Sequence, residues 1–249
     1  MTEDGQKNQS LIKNLIRTLQ KNNLGRKGIK KRIIDIKKSP YGKNWQKVDE
    51  QWYSKIYSHR PELHNNFIEY LKNRTNIKTV LEIGCGTGTY PITFKNLFSN
   101  MKYVGIDIGA PAIEYCKRNS KFDFICGDFI KMEFDDKYDL VFSHAVIDHV
   151  YDINKFLLKI ASICKKYAYI SAYRGYFPNL EQHEMVWDNE KGCYYNNISL
   201  KQVEKIFLQN ALKRDEFTIR EQKDGILLGK SYSIGLNGLE LVIEIHRQV

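Results

Sequence analysis

Three glycines at alternate positions, Gly84, Gly86 and Gly88, are the first residues in this sequence whose type and spacing suggest chemistry. They follow the strand-like run 80–83 and precede a segment with helical character, so they form a loop between a buried strand and a helix. Glycines permit a sharp turn and let backbone N–H groups approach a ligand, at a helix N-terminus that favours negative charge. The spacing differs from the G-x-G-x-x-G fingerprint, which argues against a dinucleotide.

Two acids stand where further contacts to such a ligand would be expected. Asp107 ends the strand-like run 103–107, 19 residues after Gly88, and a carboxylate there can accept hydrogen bonds from both hydroxyls of a ribose. Asp128 follows the next apolar run and precedes Phe129, so it can bind the amino group of a base beside an apolar wall. With the glycine loop, these acids predict a site for a ligand that contains a nucleoside.

The elements that must position these residues alternate between short apolar runs and helical segments from residue 78 onward. The pattern predicts strands at 78–83, 102–107, 122–126, 138–142 and 167–173, with helices at 89–98, 111–118, 152–165 and 199–211. Asp152 can cap the third of these helices, and Ser199 with Gln202 forms a capping-box pattern at the fourth. Residues 216–222 and 239–246 can form a terminal antiparallel pair. This alternation predicts an α/β core with a parallel sheet.

Residues 78–175 resemble the class I S-adenosylmethionine-dependent methyltransferases. The run VLEIGCGTGTY at 80–90 is similar to the family's first motif, and Asp139-Leu140-Val141-Phe142-Ser143 is similar to its fourth strand. The resemblance implies a Rossmann-like, doubly wound, seven-stranded mixed sheet of order 3-2-1-4-5-7-6, with S-adenosyl-L-methionine as cofactor. It also implies that Glu82 orients the cofactor's amino group, Asp107 its ribose and Asp128 its adenine. The expected cofactor-binding residues are Glu82, Gly84, Cys85, Gly86, Gly88, Asp107, Ile108, Asp128, Phe129 and Ser143.

The fourth strand is followed by His144 and His149, at the edge where reacting groups gather in doubly wound sheets. Methyl transfer from a sulfonium is an in-line displacement, so the enzyme must align the nucleophile, exclude water and, for a hydroxyl acceptor, remove a proton. Imidazole titrates near neutrality, which makes His149 and His144 the candidate catalytic bases. The alternative is that His149 is structural or lines the pocket, as the histidine in the similar V-L-E-H-V segment of many small-molecule methyltransferases often does.

Several related patterns are incomplete or missing around this strand. No metal is expected, because only Asp148 and His149 remain of the E-x-x-E-H pattern of metal-assisted O-methyltransferases. The run Ser-His-Ala-Val is not the Asn/Asp-Pro-Pro-Tyr/Phe tetrad that commonly holds a planar amine. Residues 172–198 are rich in aromatic side chains and form either an acceptor pocket for a ring or sugar, or a packed surface excursion.

Positive charge is concentrated in the N-terminal third of the chain. Of the formal net charge of +10, residues 1–79 contribute 18 Lys and Arg against 7 Asp and Glu. Such a segment attracts nucleic acid, lipid headgroups or a phosphorylated substrate, or is simply a solvated helical face. We predict a basic helical extension over residues 1–75, including an amphipathic helix at 9–22, and a methyltransferase core over residues 76–249.

Composition restricts where the protein works. No run approaches the roughly 18 consecutive apolar residues of a membrane span, and the first thirty residues lack the features of a signal peptide, so a cytoplasmic protein is expected. The five cysteines form no C-x-x-C pair and are expected to be reduced thiols.

Three functional hypotheses follow. The first is O-methylation of a small-molecule or saccharide acceptor, which can be anionic. The second is an RNA methyltransferase whose basic arm binds the phosphate backbone. The third is a non-catalytic interaction module that retains the cofactor fold, against which the intact set of acids argues. Fold alone does not choose among them.

Overall fold

The structure is a computed structural model that describes residues 29–30, 40–42, 45, 51, 65–210, 212–223, 226–227, 230–231 and 239–247. The predicted amphipathic helix at 9–22 lies outside the described residues. The proposed boundary at residue 76 stays a prediction. In the described part, no helix has the length and apolarity needed to cross a membrane.

Seven strands form the central sheet, and their order is β3-β2-β1-β4-β5-β7-β6. The predicted order 3-2-1-4-5-7-6 is therefore confirmed. Strands β1 to β5 run parallel, and β7 is antiparallel to both of its neighbours, β5 and β6. The strands are β1 (Thr79–Ile83), β2 (Lys102–Asp107), β3 (Asp123–Cys126), β4 (Tyr138–His144), β5 (Cys164–Ala172), β6 (Phe217–Lys223) and β7 (Leu239–His246).

The helices follow the predicted segments with two differences. The described α-helices are α1 (Asn65–Lys72), α2 (Thr89–Thr93), α3 (Lys95–Phe98), α4 (Ala110–Asn119), α5 (Ile153–Ile163) and α6 (Leu200–Asn210). The predicted helix 89–98 is interrupted at Phe94, whose φ of −108° and ψ of 36° leave the helical region. Strand β5 begins at Cys164, three residues before its predicted start, because α5 runs directly into it.

The two predicted helix caps differ in outcome. Asp152 caps α5, and its Oδ1 accepts from the backbone N–H of Lys155 at 2.9 Å. Ser199 Oγ accepts from the N–H of Gln202 at 3.1 Å, but the Gln202 side chain accepts from the N–H of His183 instead of returning to Ser199. The N–H of Ser199 donates to His183 Nδ1 at 3.0 Å, so the histidine replaces the second half of the capping box.

The core lies on both faces of the sheet, as the side-chain period of two along a strand requires. In β4, Val141 packs into the cluster with α5 and α6, which contains Phe156 and Phe207. Its neighbours Leu140 and Phe142 pack into the cluster on the other face, with α1 and α4. The sheet is therefore covered on both sides, and the carboxyl ends of its parallel strands are held at one common edge.

A hairpin of Glu184–Asp188 and Cys193–Asn197 lies between β5 and α6. Asn196 fixes it to the turn after β4, because its Nδ2 donates to the carbonyls of Ile147 (3.0 Å) and Val150 (2.7 Å). The aromatic-rich connection predicted for residues 172–198 thus folds back onto the carboxyl end of β4.

Candidate cofactor and acceptor site

The glycine loop between β1 and α2 has a backbone that only glycine adopts without strain. Gly84, Gly86 and Gly88 have φ values of 75°, 53° and 73°. The loop is tied to β2 by the N–H of Gly84, which donates to the Ile106 carbonyl at 2.7 Å. A Cβ on Gly84 would lie 2.1 Å from Cγ2 of Val146. The first glycine is therefore required by the close approach of the turn that follows β4.

Asp107 lies at the end of β2 beside this loop. Its Oδ2 accepts from the N–H of Gly86 at 2.9 Å, and its Oδ1 accepts from the N–H of Gly109 at 2.7 Å. Burial raises the pKa of this carboxyl, and the backbone N–H groups act in the opposite direction. Each oxygen keeps a further lone pair, so the carboxylate can still accept the two hydroxyls of a ribose. The half-buried Ile108 follows it at the same edge.

Glu82 and Cys85 are buried within the sheet and beneath the loop. The Tyr103 hydroxyl donates to Glu82 Oε2, and burial raises the pKa of the Glu82 carboxyl well above its ordinary value. A second thiol, Cys116, donates to the Gly86 carbonyl at 3.3 Å. These contacts fix the loop from below.

Asp128, after β3, is bound by side chains from distant parts of the chain. Its Oδ1 accepts from the hydroxyl of Tyr41 at 3.1 Å and from the N–H of Ile130 at 3.0 Å. Its Oδ2 accepts from the hydroxyl of Tyr151 at 3.1 Å and lies 3.7 Å from Lys131 Nζ. A carboxylate offers about four lone-pair sites, so room for one more donor remains.

The loop that carries Asp128 is held from the helix side. Phe129 is buried, and it packs against Phe134 and Phe156. The ammonium of Lys159, on α5, donates to the carbonyls of Phe129 (3.2 Å) and Ile130 (2.6 Å) and to that of Met132. One cation thereby satisfies three carbonyls and fixes the loop geometry.

The carboxyl end of β4 contains a strained residue and an unsatisfied hydroxyl. Ala145 has a φ of 57°, a region that residues with a Cβ rarely adopt. Ser143 is fully buried, and its Oγ has no hydrogen-bond partner among the described residues. His144 Nδ1 lies 2.6 Å from Ser171 Oγ, and burial lowers the pKa of His144 to about 4. Backbone strain and an orphan buried polar group are both features that cluster at functional sites.

His149 ends the 3₁₀ turn Ile147–His149, and both of its ring nitrogens are engaged. Nδ1 lies 2.6 Å from the carbonyl oxygen of Tyr194, which can only accept, so Nδ1 carries the proton. Nε2 is therefore an acceptor, and it receives the hydroxyl of Tyr173 at 3.0 Å. Burial lowers the pKa of His149 to about 4 and keeps the ring neutral at pH 7.

Two described residues from the N-terminal segment reach this edge of the sheet. The Trp45 ring lies 4.4 Å from the His149 ring, and the Trp45 carbonyl lies 3.2 Å from where a Cβ on Gly109 would be. Tyr41 contacts Asp128 as described above. Tyr41 and Trp45 therefore contact the loops that follow β2 and β3, and Trp45 also contacts the turn that follows β4.

A family model described as a methyltransferase domain matches residues 75–217. The chain belongs to this family. A second model, protein-L-isoaspartate(D-aspartate) O-methyltransferase, matches residues 10–125 of the methyltransferase.

Similar curated proteins are methyltransferases with different acceptors in their names. A malonyl-[acyl-carrier protein] O-methyltransferase of Bacillus cytotoxicus is 33% identical over 84 residues, which are 32% of this chain and 30% of the relative. A tRNA N(3)-methylcytidine methyltransferase of Schizosaccharomyces pombe is 36% identical over 87 residues, 33% of this chain and 26% of the relative. The matches thus span about a third or less of the lengths of these two relatives.

Solved structures share the fold. Magnesium protoporphyrin IX methyltransferase from Synechocystis PCC 6803, with S-adenosylmethionine bound, superposes with a TM-score of 0.52 at 17% identity over 86% of this chain and 90% of that chain. The plantazolicin methyltransferase BpumL with S-adenosyl-L-homocysteine superposes with a TM-score of 0.54 at 16% identity, over 81% and 92%. The methyl donor of the methyltransferase is S-adenosyl-L-methionine.

The residues present fit this cofactor. The glycine loop, Asp107, Asp128 and the orphan hydroxyl of Ser143 lie at the carboxyl ends of β1 to β4, where a doubly wound sheet binds nucleotides. Sequence reasoning missed Tyr41, Tyr151 and the Tyr173–His149 hydrogen bond. No local signal could have found them, because the bonded partners are separated by 87, 23 and 24 positions in the chain.

Proposed function

We propose that the methyltransferase methylates an oxygen atom of a small-molecule or saccharide acceptor. The observation that carries this proposal is the hydrogen bond between Tyr173, which follows β5, and His149, in the turn after β4. The Tyr173 hydroxyl donates to the unprotonated Nε2 of His149. The carbonyl of Tyr194 fixes that tautomer. Both ring nitrogens are engaged in this arrangement, and the Tyr173 oxygen keeps lone pairs that can accept a hydrogen bond from a hydroxyl acceptor. The names of the malonyl-carrier and isoaspartate O-methyltransferases also favour oxygen.

For the cofactor, which supplies the activated methyl group as a sulfonium, we propose the binding set deduced from the sequence. The backbone of Gly84, Cys85, Gly86 and Gly88 would line its amino acid end, with Glu82 orienting its amino group. Asp107 would accept the ribose hydroxyls, beside Ile108. Asp128 would accept the adenine amino group with its remaining lone pair, beside Phe129. The Ser143 hydroxyl would gain the partner it lacks.

The two histidines would have different roles. His144 is bonded to Ser171, and His149 is bonded to Tyr173 and Tyr194. Burial lowers the pKa of both rings to about 4, so each is a weaker base than a free imidazole. His149 would therefore act chiefly through Tyr173, by orienting its hydroxyl at the acceptor. Proton removal by either histidine would be needed only for a hydroxyl acceptor.

A direct test uses purified protein, isotopically labelled S-adenosylmethionine and a panel of small acids, alcohols, sugars and amines. Transfer to oxygen is expected, with products identified by mass spectrometry and by alkaline lability of esters. His149→Gln and Tyr173→Phe should lower kcat while cofactor affinity, measured by calorimetry, changes less than about threefold. His246→Gln is the matched control, because His246 pairs with Tyr167 near the amino end of β5, away from the site. Transfer exclusively to nitrogen or carbon would refute the proposal.

RNA methylation is a second candidate, favoured by the basic N-terminal segment and by the similar tRNA methyltransferase. It predicts RNA binding that weakens steeply with salt. The structure sets the limit of a useful truncation, because Tyr41 and Trp45 contact the site and must be kept. Removal of residues 1–28 should abolish RNA binding and leave cofactor binding intact. Binding that is insensitive to salt or to this truncation would exclude the candidate.

A further inference from the structure

Arg174, two residues after β5, is a half-buried cation without a counter-ion among the described residues. Its Nη2 makes one long hydrogen bond, 3.4 Å, to Oδ1 of Asn197. Its Nε is buried and has no partner in the described part of the chain. Within the described residues, Arg74 and Arg247 also have an unsatisfied Nε, but Arg74, like Arg220 and Arg214, pairs with a glutamate: Arg74 and Arg220 with Glu244, and Arg214 with Glu204. A guanidinium removed from water without an anion is costly, so this one is poised for a ligand.

The surroundings of Arg174 place it at the acceptor end of the site. Its guanidinium carbon lies 5.1 Å from the centre of the Tyr195 ring, and that ring lies 5.1 Å from the His149 ring. The exposed Lys191 ammonium lies 4.8 Å from the same ring. Burial has the largest effect on the pKa of His149, followed by the hydrogen bond to Tyr194. The charges of Arg174 and Lys191 come next, and both lower this pKa. Two cations therefore act on the point where the acceptor would lie.

The carboxylate nearest in the chain does not neutralise Arg174. Asp148 accepts from the backbone N–H groups of Arg174 (2.9 Å) and Tyr173 (3.3 Å), and it makes no ion pair with a guanidinium in the described structure. Burial raises the pKa of Asp148 to about 7, and the charge of Arg174 is the last and smallest of the influences that lower it. The carboxylate of Glu184 is linked to Arg174 only through Asn197. Its Oε2 accepts from Nδ2 of Asn197, whose Oδ1 accepts from Arg174.

We propose that Arg174 binds a carboxylate of the acceptor, and that this carboxylate is the oxygen nucleophile that becomes a methyl ester. The assignment rests on the proposed O-methylation and names its substrate class. A planar guanidinium binds a carboxylate through two parallel hydrogen bonds, and among the described residues the Nη2 of Arg174 makes only the one long bond to Asn197.

This substrate class also fits the weak basicity of the histidines. One carboxylate oxygen attacks the methyl carbon, the carbon–sulfur bond breaks with its electron pair going to sulfur, and a methyl ester and a neutral thioether result. A carboxylate is already ionised at pH 7, so no proton has to be removed. Two histidines with pKa values near 4 are then sufficient, because they have only to position groups.

The test measures binding, so that it is independent of turnover. Monocarboxylates from acetate to benzoate, each paired with its neutral amide, and inorganic phosphate are titrated into protein saturated with S-adenosyl-L-homocysteine and followed by NMR. The wild type should prefer each acid over its amide by about tenfold or more. Arg174→Gln should remove this preference, and Arg174→Lys, which keeps the charge, should retain part of it.

Arg214→Gln is the matched control. Arg214 also lies over an aromatic ring, 5.2 Å from the centre of Phe217, but at the amino end of β6, the opposite edge of the sheet. Equal binding of acids and amides, or an unchanged preference in Arg174→Gln, would overturn the proposal. Phosphate binding tighter than every carboxylate would do the same. Nitrogen methylation in the turnover assay would refute O-methylation but would leave the acid-over-amide preference standing, so the two failures are distinguishable.

Discussion

Gly84→Ala should destabilise the protein by an amount that the loop geometry predicts. The backbone φ of 75° costs an alanine about 1–2 kcal/mol relative to glycine. The new Cβ would lie 2.1 Å from Val146 Cγ2, and relieving such overpacking costs about 1–3 kcal/mol more. The expected loss in the free energy of unfolding is therefore roughly 2–5 kcal/mol. Cofactor affinity should fall as well, because the displaced loop is the proposed binding element.

The two contributions can be separated with variants that the chain itself offers. Gly192 has a φ of 61°, and a Cβ there would meet nothing within 4 Å, so Gly192→Ala should show the backbone cost alone. The double variant Gly84→Ala/Val146→Ala removes the overlapping methyl group. It should be more stable than the sum of the two single changes predicts, by about 1–3 kcal/mol. Urea unfolding and calorimetry with S-adenosyl-L-homocysteine supply the measurements. Additive single changes, or a cost for Gly84→Ala equal to that of Gly192→Ala, would refute the reasoning.

Three further predictions concern the corners of the site and the buried ionisable groups. Tyr41→Phe removes a hydrogen bond to the buried Asp128 and should lower the free energy of unfolding by about 1.5–3 kcal/mol and weaken cofactor binding. Tyr115→Phe is the control. Equal unfolding midpoints of the two variants would contradict the prediction. Lys159→Met leaves three carbonyls of the loop 129–132 without their donor and should weaken cofactor binding. Lys155→Met, an exposed change on the same helix, is the control and should have a smaller effect. Equal cofactor affinities of the two variants would disprove this prediction. Burial lowers the pKa of His183 to about 4, below its unfolded value, so its contribution to stability is complete above about pH 6.5 and is lost as the pH falls to 4. His183→Gln should therefore reduce the loss of unfolding free energy between pH 6.5 and pH 4 by about 2–3 kcal/mol. An unchanged pH profile of the unfolding free energy would reject this.

The sheet could be predicted from the sequence because each strand is a short apolar run followed by turn residues. Strand β2 has its predicted bounds, 102–107, since Gly109 and Pro111 follow it directly. The start of β5 could not be predicted as well. The sequence Ile163-Cys164-Lys165 contains no glycine or proline, and the chain passes from α5 to β5 without a turn. The hairpin at 184–197 was not predicted as strands, because its pairing depends on Gly192 in a left-handed conformation.

The methyl donor can be predicted from the sequence and the acceptor cannot, because the two ends of the site depend on contacts of different sequence separation. The cofactor end is built from loops that directly follow β1, β2 and β3, so the spacing from Gly84 to Asp107 and Asp128 contains the information. The acceptor end is built from contacts between segments that are distant in the chain. Tyr194 fixes the tautomer of His149, and Tyr195 holds the guanidinium of Arg174. A hairpin insertion of different sequence would change those contacts without touching the glycine loop, so members of one family can keep one cofactor and use different acceptors.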